Sequence, residues 1–253
     1  KAEARCNGEW KMENGEWIMH GVEESDPCCL HTVGELEAYV NEVGFLPLFS
    51  GNIPDFSVEE RTLPDYWWSG DEMNDPWEWR KIIAGWGNIA YGKFFEKRAG
   101  FISREWLPRF VNYRRDGYDF DARWDEELAG NRQKKIMDLF DDETELYSNE
   151  AKHRAGFGKN GEKNFDGILT ELEMQMYLTD CDFRQRQNKR GENYGWAITI
   201  LSTPEHIFGR ELVTSAYGES PEESFEHIAA KMRDRYPDLP DAKIRKALAG
   251  TGR

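Results

Sequence analysis

Hydrophobic residues recur at helical spacing in some segments of the chain and at every second position in others. This pattern predicts helices separated by short strands. A Thr32–Glu35 capping box opens one helix, and Gly44 ends it. Helical spacing also follows Pro76, Ser103, Ser148, Asn164 and Ser220. A two-residue period predicts strands at 89–95, 101–102, 177–186 and 196–200. The pattern therefore predicts an α+β protein that is mainly helical.

The N-terminal segment repeats the sequence Asn-Gly-Glu-Trp at residues 7–10 and 14–17. Asn-Gly pairs favour type I′ turns, so residues 16–19 are predicted to pair with residues 10–13. This pattern is typical of a simple edge hairpin and not of a repeat architecture.

Residues 148–201 contain a helix, a turn, a second helix and a hairpin, which is the element order of a winged helix. The second helix, residues 166–177, is predicted to expose Glu171 and Glu173. In a nucleic-acid-binding winged helix this helix would enter the major groove, where both carboxylates would repel phosphate. The predicted wing is named here the basic hairpin (residues 184–196), and it carries Arg184, Arg186, Lys189 and Arg190.

These patterns predict tandem winged-helix modules with short β-hairpins. We divide the chain into an acidic N-terminal extension (1–30), a first helical, winged-helix-like module with an aromatic cluster (31–142), a second winged-helix module (143–210) and C-terminal helices (211–253).

Composition narrows the functional class. The 253 residues include 48 Asp and Glu against 33 Lys and Arg, and the net charge of −15 excludes a uniformly basic nucleic-acid-binding protein. An aromatic content of 13% argues against disorder. The longest apolar run, residues 196–201, is too short to cross a membrane, so no membrane partner is expected. Because no signal-peptide pattern appears, we expect a cytoplasmic protein.

The charge is unevenly distributed. Residues 1–60 contain 13 acidic against 3 basic residues, whereas residues 93–115 contain seven basic against two acidic residues. A local reversal of this kind indicates an anionic partner, because distant acids are screened by salt. The alternative is that these cations pair with the acidic N-terminal segment inside the fold. Beside the basic hairpin, the candidate nucleic-acid contacts are Lys163, Arg104, Arg114 and Arg115.

Six aromatic residues fall within 21 positions: Tyr66, Trp67, Trp68, Trp77, Trp79 and Trp86. They favour either a packed core or a platform on which an unpaired base stacks. The candidate pocket residues are Trp67, Trp68, Trp77, Arg80 and Tyr113.

The sequence leaves the role of one further polar group open and argues against a metal site at another. Asp119, Asp121 and Asp125 suit either a helix start or a carboxylate that positions water. Cys28 and Cys29 with His31 lack the spacing of zinc ligands, so we predict no metal and no cofactor.

Several runs resemble the AlkZ-type winged-helix DNA glycosylase superfamily, and more closely its AlkZ-related branch. The resemblance lies in Gly-Phe-Leu-Pro-Leu-Phe (44–49), Asp-Pro-Trp-Glu-Trp-Arg (75–80), Gly-Phe-Ile-Ser-Arg-Glu-Trp (100–106), Asn-Tyr-Arg-Arg-Asp-Gly-Tyr-Asp (112–119) and residues 183–196. It implies a tandem winged-helix scaffold, a DNA partner and excision of a modified base without a metal.

Glycosylases of this superfamily position water with a Gln-x-Gln or Gln-x-Asp motif. The corresponding stretch here is Leu46-Pro47-Leu48, and leucine cannot orient water or stabilise an oxocarbenium-like centre. The implied catalytic role therefore does not carry over. Asp55, Glu59 and Glu60 follow, without a reason in the sequence to choose among them.

Three hypotheses follow from the sequence. The first is a DNA-binding protein on a glycosylase scaffold without the usual motif, which binds through the basic hairpin and residues 93–115. The second is an active glycosylase or hydrolase with a nonstandard carboxylate. The third is a non-catalytic protein-interaction module.

Overall fold

The computed structural model of the protein describes residues 10–13, 16–19 and 22–250. The strands are β1 (Trp10–Glu13), β2 (Glu16–Met19), β3 (Phe45–Pro47), β4 (Ile89–Phe95), β5 (Arg98–Ser103), β6 (Leu146–Tyr147), β7 (Thr179–Arg184) and β8 (Ile198–Ser202). The helices are α1 (Val33–Val43), α2 (Pro76–Trp86), α3 (Leu107–Arg115), α4 (Phe120–Asp125), α5 (Asn131–Met137), α6 (Ser148–Arg154), α7 (Phe165–Met174), α8 (Pro204–Phe208), α9 (Arg210–Val213), α10 (Pro221–Arg235) and α11 (Asp241–Leu248). The predicted α+β class is confirmed.

Strands β3 to β8 form one antiparallel sheet in the order β3-β5-β4-β7-β8-β6. In each half of this sheet a short first strand pairs with the last strand of the hairpin that follows it. The halves meet where β4 pairs with β7, at Tyr91 and Asp180. Strands β1 and β2 pair separately, as predicted, with Trp10 opposite Met19. The predicted Asn-Gly turn between them lies outside the described residues.

Two hydrophobic cores support the two halves. The first packs α1, α2 and α3 with the C-terminal helices α10 and α11, around residues such as Trp79, Phe110 and Phe225. The second packs α4 to α7 against β8, around Leu172 and Leu201. Each buried large apolar side chain contributes about 1.5–3 kcal/mol relative to an exposed one.

The two cores do not divide the chain at residue 142, where the sequence predicts the boundary between the first and second modules. Phe120 and Phe140 pack in the second core, whereas Phe225 and Ile244 of the C-terminal helices pack in the first. An amphipathic helix shows in its sequence which face is apolar, but not which neighbour covers that face.

Most of the helix ends predicted from local sequence signals are confirmed. Thr32 Oγ1 accepts the Glu35 N–H at 3.2 Å, and Gly44 ends α1 with φ 90°. The helix predicted to open at Ser103 begins instead at Leu107, because Ser103 still pairs with Ile89 in the sheet. Among the described residues, no helix is both long and apolar enough to cross a membrane.

Candidate functional site: a cleft where the two halves of the sheet meet

A cleft of about 530 Å³ opens beside the junction of β4 and β7. Its size lies within the range of ligand-binding pockets. Both halves of the protein line it: Phe49, Trp68, Asp75, Trp77, Glu78, Arg80, Lys81, Tyr91 and Lys93 come from the first half, and Asp180, Phe183, Gln185, Trp196 and Thr199 from the second.

The N-terminus of α2 fixes one wall of the cleft. Asp75 Oδ1 accepts the Trp77 N–H at 2.8 Å and the Trp68 N–H at 3.1 Å. Its Oδ2 accepts the Gly70 N–H at 2.9 Å. A buried Asp75 therefore caps the helix and also holds the loop at residues 68–70.

Trp77 and Arg80 lie one turn apart on α2 and form a stack in the cleft. The Arg80 guanidinium lies 3.6 Å from the centroid of the Trp77 ring and 4.5 Å from that of Phe183. A planar cation between aromatic rings is stabilised by cation–π attraction. The structure thus brings two of the predicted pocket residues together.

Two exposed tryptophans lie among the lining residues. Trp68 is 61% exposed and Trp196 is 72% exposed, and the Trp196 ring meets Trp77 edge-on at 6.2 Å. The predicted pocket residue Trp67 is buried outside the cleft lining, where its ring packs on Phe49. The six-residue aromatic cluster therefore divides between core and cleft, with Trp79 fully buried.

A pair of carboxyls lies at the junction, and of the two Glu173 is buried whereas Asp180 is partly buried. Burial, and then the neighbouring Glu173, raise the pKa of Asp180 well above its usual range. Burial also raises the pKa of Glu173, to about 7, although Lys93 opposes that rise and its N–H donates to Glu173 Oε2 at 3.2 Å. The two carboxyls interact by a hydrogen bond, which requires that one of them carries a proton.

The strand geometry helps to place Asp180. The pairing of β7 with β8 shifts register between Asp180 and Asp182, which is the mark of a β-bulge. Bulges redirect side chains and occur frequently beside active sites. The Thr179 hydroxyl donates to the Tyr91 carbonyl at 2.8 Å and ties β7 to β4 at the same level.

The basic hairpin extends from the same strand and is exposed along its length. Its four cations are exposed, and Arg184 pairs with Asp182 at 2.8 Å. Within its turn, the side chain of Asn188 accepts the N–H of Arg190 at 2.8 Å and that of Glu192 at 3.1 Å. This turn presents Lys189 and Arg190 to solvent.

Two candidate contacts, Arg114 and Arg115, are corrected by the structure because both are buried. Arg115 donates to Glu205 through its two terminal guanidinium nitrogens and also donates to the Met176 carbonyl at 2.7 Å. Burial opposes the charge of Arg115, but Glu205 outweighs burial and raises its pKa. Burial lowers the pKa of Arg114 to about 9, and carbonyls such as that of Leu248 accept its hydrogen bonds.

The predicted basic surface at 93–115 is therefore not continuous. Arg98 donates to the Ser50 carbonyl at 2.5 Å, and Arg109 pairs with Glu219 at 3.5 Å. Arg104 is exposed. Arg98, Arg109 and Arg115 do pair inside the fold, but with Glu96, Glu219 and Glu205 and not with the acidic N-terminal segment that the alternative interpretation named.

The other candidates lie away from the cleft lining. The Lys163 ammonium is exposed but donates to the Gly158 and Lys159 carbonyls, both at 2.6 Å. Tyr113 is buried against Phe225, with ring centroids 4.9 Å apart, so it is a core residue and not a pocket residue.

The positions that correspond to the superfamily's catalytic motif are buried. Leu46 and Leu48 are fully buried. The carboxylates that follow hold the adjoining loop: Glu59 accepts the Ser50 hydroxyl at 2.7 Å, and Glu60 accepts the Asp55 N–H at 3.0 Å. They are not among the residues that line the cleft.

The sequence does not predict the carboxyl pair. Its helical pattern predicts that Glu173 is exposed, whereas Glu173 is 1% exposed in the structure. That prediction is wrong because α7 packs against β4, where Lys93 also donates to Thr170 at 3.3 Å. The face of α7 that carries Glu173 is thus covered by β4. Asp182 alternates along β7 in the same way as Asp180, so the sequence carried no signal that distinguished Asp180.

Comparison with known proteins gives one match. The model of the family described as "AlkZ related" matches residues 30–249, which is most of the chain. The search of curated proteins and the search of solved structures found no matching protein or structure. Among the described residues, no cluster of His, Cys, Asp or Glu is arranged to hold a metal ion. The cleft and the basic hairpin thus lie within the matched region, and the chain belongs to the AlkZ-related family.

Proposed function

We propose that this protein binds DNA and receives an unpaired base in the cleft. The observation that carries the proposal is the aromatic cleft itself, which opens beside the exposed basic hairpin. Both features arise from β7 and its connection to β8, so a nucleic acid bound by one lies near the other. The AlkZ-related family agrees with a DNA-binding, glycosylase-like protein.

The cleft offers the contacts that an extruded base requires. Proteins hold such bases by stacking on aromatic rings and guanidinium planes, and stacking is worth about 1–3 kcal/mol per base. Trp77 and Arg80 provide such surfaces, and the exposed Trp68 and Trp196 extend them to the outside. A packed core would not leave two tryptophans in contact with solvent beside a cavity.

The basic hairpin supplies the contacts to phosphate. Its four cations lie on one exposed loop, while the protein as a whole carries a net charge of −15. Binding is therefore expected to be local and strongly dependent on salt. Each phosphate contact adds about 0.9 to the slope of log K against log salt, so four contacts give a slope of roughly −3 to −4.

The scaffold for this function is a tandem of two winged-helix modules joined edge to edge. In the second half a short strand, a pair of helices and a hairpin follow one another, whereas in the first half one helix, α2, lies between β3 and the hairpin of β4 and β5. The strand orders are β3-β5-β4 and β6-β8-β7. Because α7 is covered by β4, the second module would use its wing and the adjoining cleft instead of a recognition helix.

The test is DNA binding by fluorescence anisotropy at low salt, with a labelled duplex that contains one unpaired adenine and a fully paired duplex for comparison. We expect the unpaired base to bind more tightly. Reversal of charge in Lys189→Glu and Arg190→Glu should weaken binding to both duplexes and reduce the salt slope by about 1 each.

Lys243→Glu provides the matched control, because Lys243 is an exposed lysine on α11. It changes the net charge by the same amount as Lys189→Glu, without touching the basic hairpin. The proposal fails if no DNA binding is measurable, or if the hairpin variants weaken binding no more than Lys243→Glu does.

A second candidate function, active excision of a base, is favoured by one specific observation. The pair formed by Asp180 and Glu173 lies beside the cleft and has raised pKa values, and perturbed carboxyls of this kind concentrate at catalytic sites. Single-turnover assays for released base separate this activity from DNA binding alone.

A further inference from the structure

Arg80 is a buried cation in the cleft whose neighbours carry no charge that would neutralise it. The residue is 6% exposed, and its Nε is shielded from solvent without a hydrogen-bond partner among the described residues. Tyr91 shares a hydrogen bond with Arg80, but burial raises the pKa of Tyr91, so the phenol is neutral. The ion pairs within the described part of the chain do not include Arg80. Because buried charges are nearly always paired, this arrangement calls for an anionic ligand.

The acidic residues that line the cleft are engaged with other groups. Asp75 accepts three backbone N–H groups, and Glu78 pairs with a lysine of the same helix at 2.6 Å. Asp180 is hydrogen-bonded to Glu173, and burial followed by Glu173 raises the pKa of Asp180, so Asp180 is the protonated member of that pair. The positive charge of Arg80 is therefore available to a ligand in the cleft.

Two aromatic rings hold the Arg80 guanidinium in place. Its central carbon lies 3.6 Å from the centroid of the Trp77 ring and 4.5 Å from that of Phe183. The N–H donors of a guanidinium lie in its plane, and this planar fork matches the oxygens of a phosphate. The exposed rings of Trp68 and Trp196 line the same cleft and can stack on a base. A phosphate site and a base site within one cleft fit a nucleotide.

We propose that the cleft receives the last nucleotide of a DNA strand and that Arg80 binds its terminal phosphate. The inference rests on the proposed DNA-binding function, and it specifies the ligand as a strand end that carries a phosphate. Arg80 acts in it as a binding residue, and no covalent bond is made or broken.

A terminal phosphate suits this position better than a phosphate inside a strand. An internal phosphate is joined to a nucleotide on each side, and both would have to approach a side chain that is 94% buried in a cleft of about 530 Å³. A terminal phosphate is joined to one nucleotide and carries about 1.5–2 negative charges at neutral pH. The four cations of the basic hairpin are not among the lining residues, so they remain for phosphates farther along the strand.

The experiment compares strand ends by fluorescence anisotropy at low salt. Four labelled duplexes carry one unpaired adenine as a 5′ or a 3′ overhang, and each overhang ends in a phosphate or in a hydroxyl. Wild-type protein should bind the phosphorylated end about 10-fold more tightly or better for at least one of the two polarities, which is the effect of a charge-assisted, two-point contact.

Variants of Arg80 identify the residue responsible. Arg80→Gln should bind phosphorylated and hydroxyl ends equally, and Arg80→Lys, which keeps the charge without the fork, should retain part of the preference. A purely structural role would weaken binding to both ends without changing their ratio. Arg210→Gln is the matched control, because Arg210 is a 79% exposed arginine on α9 and should keep the full preference. Circular dichroism should show that each variant is folded.

A second measurement uses only the wild-type protein and so does not depend on the folding of a variant. Phosphorus NMR follows the terminal phosphate, whose second pKa is about 6 in free DNA. Contact with the Arg80 cation should lower this pKa by about one unit or more in the saturated complex. An unchanged pKa in that complex would contradict the contact.

Free dAMP, which has the same base and phosphate, distinguishes a nucleotide from a strand end as the source of the ligand. It cannot extend to the basic hairpin, so it should displace the labelled duplex only at a concentration about 100-fold or more above that of the unlabelled phosphorylated duplex. If dAMP competes as well as that duplex does, the ligand is a free nucleotide and the assignment to a strand end is overturned.

The remaining outcomes separate the two proposals. If wild-type protein binds the duplexes but does not distinguish phosphate from hydroxyl at either end, the assignment of Arg80 is overturned and the DNA-binding function stands. If Arg80→Gln keeps the wild-type preference, the assignment is likewise overturned. If the protein binds no DNA at all, the proposed function fails, and the strand-end inference fails with it.

Discussion

Replacing Glu173 with glutamine is expected to stabilise the protein at alkaline pH, which is unusual for a substitution at a fully buried site. The Glu173 side chain is 1% exposed and faces a second carboxyl. Burial raises its pKa from 4.5 to about 7. Glutamine has nearly the same shape, keeps an oxygen for the Lys93 N–H and can donate to Asp180 without a titratable proton.

The magnitude follows from linkage between protonation and folding. Because the pKa of folded Glu173 lies above its unfolded value, its contribution to stability is complete below pH 4.5 and is lost as the pH rises through about 7. At about 1.4 kcal/mol per pKa unit, the rise from 4.5 to about 7 costs about 3 kcal/mol once the group is ionised. Glutamine avoids this cost, so the variant and the wild type should differ above pH 7 and not at acidic pH.

Urea unfolding at about pH 5 and about pH 8 measures the difference. We expect similar free energies of unfolding at the lower pH and a variant that is more stable at the higher pH. An increase of about 3 kcal/mol corresponds to a thermal midpoint roughly 6–12 °C higher. The reasoning is refuted if the wild type and the variant differ equally at both pH values. Glu171→Gln, a partly exposed position on the same helix, should not show the pH-dependent gain.

Three further substitutions test the packing of the protein. Glu205→Ala removes the partner of buried Arg115, and because Glu205 is about a quarter exposed we expect a loss of about 2 kcal/mol in urea unfolding. Arg115 lowers the pKa of Glu205, so this loss should be present above pH 4.5 and disappear as the pH falls through the lowered value; a loss that persists in acid would contradict the ion pair. Gly44→Ala places a methyl group 2.7 Å from Trp106 at φ 90°, which should lower stability by about 1–3 kcal/mol, and an unchanged thermal midpoint would refute this. Asn112→Ala removes hydrogen bonds from one amide to three acceptors, at about 1 kcal/mol each, and a change below about 1 kcal/mol in urea unfolding would exclude that role.

The elements that the sequence predicted correctly are those determined within a few residues. The capping box at Ser220 and Glu223 is present, with the serine hydroxyl 3.3 Å from the Glu223 N–H. Asp119 accepts the Ala122 N–H at 2.9 Å, so the helix-start interpretation of that acidic run is confirmed for its first residue. Such signals are local because cap and turn hydrogen bonds join neighbours in the chain.

The candidate site was less predictable, because its burial depends on contacts between distant segments. The alternation along β7 identified two faces but not the strand that pairs with its edge. That strand is β4, and the hydrogen bond from Thr179 to Tyr91 spans 88 residues. The same limit explains Arg114 and Arg115, whose acceptors come from segments 60 or more residues away. Composition counted these charges but could not show which of them face solvent.

The edge-to-edge joining of the two halves accounts for both the stability of the sheet and the position of the cleft. Within each half, β4 or β7 would be an edge strand with unpaired backbone groups, which proteins generally cover or protect. Pairing these two edges removes both exposed surfaces at once. It also places Trp77 and Arg80 of the first half against Phe183 and Asp180 of the second, so neither half contains the cleft alone. A carboxylate on β7 is therefore the one that the joined sheet brings beside the aromatic stack, while Leu46 remains buried on the far side of β5.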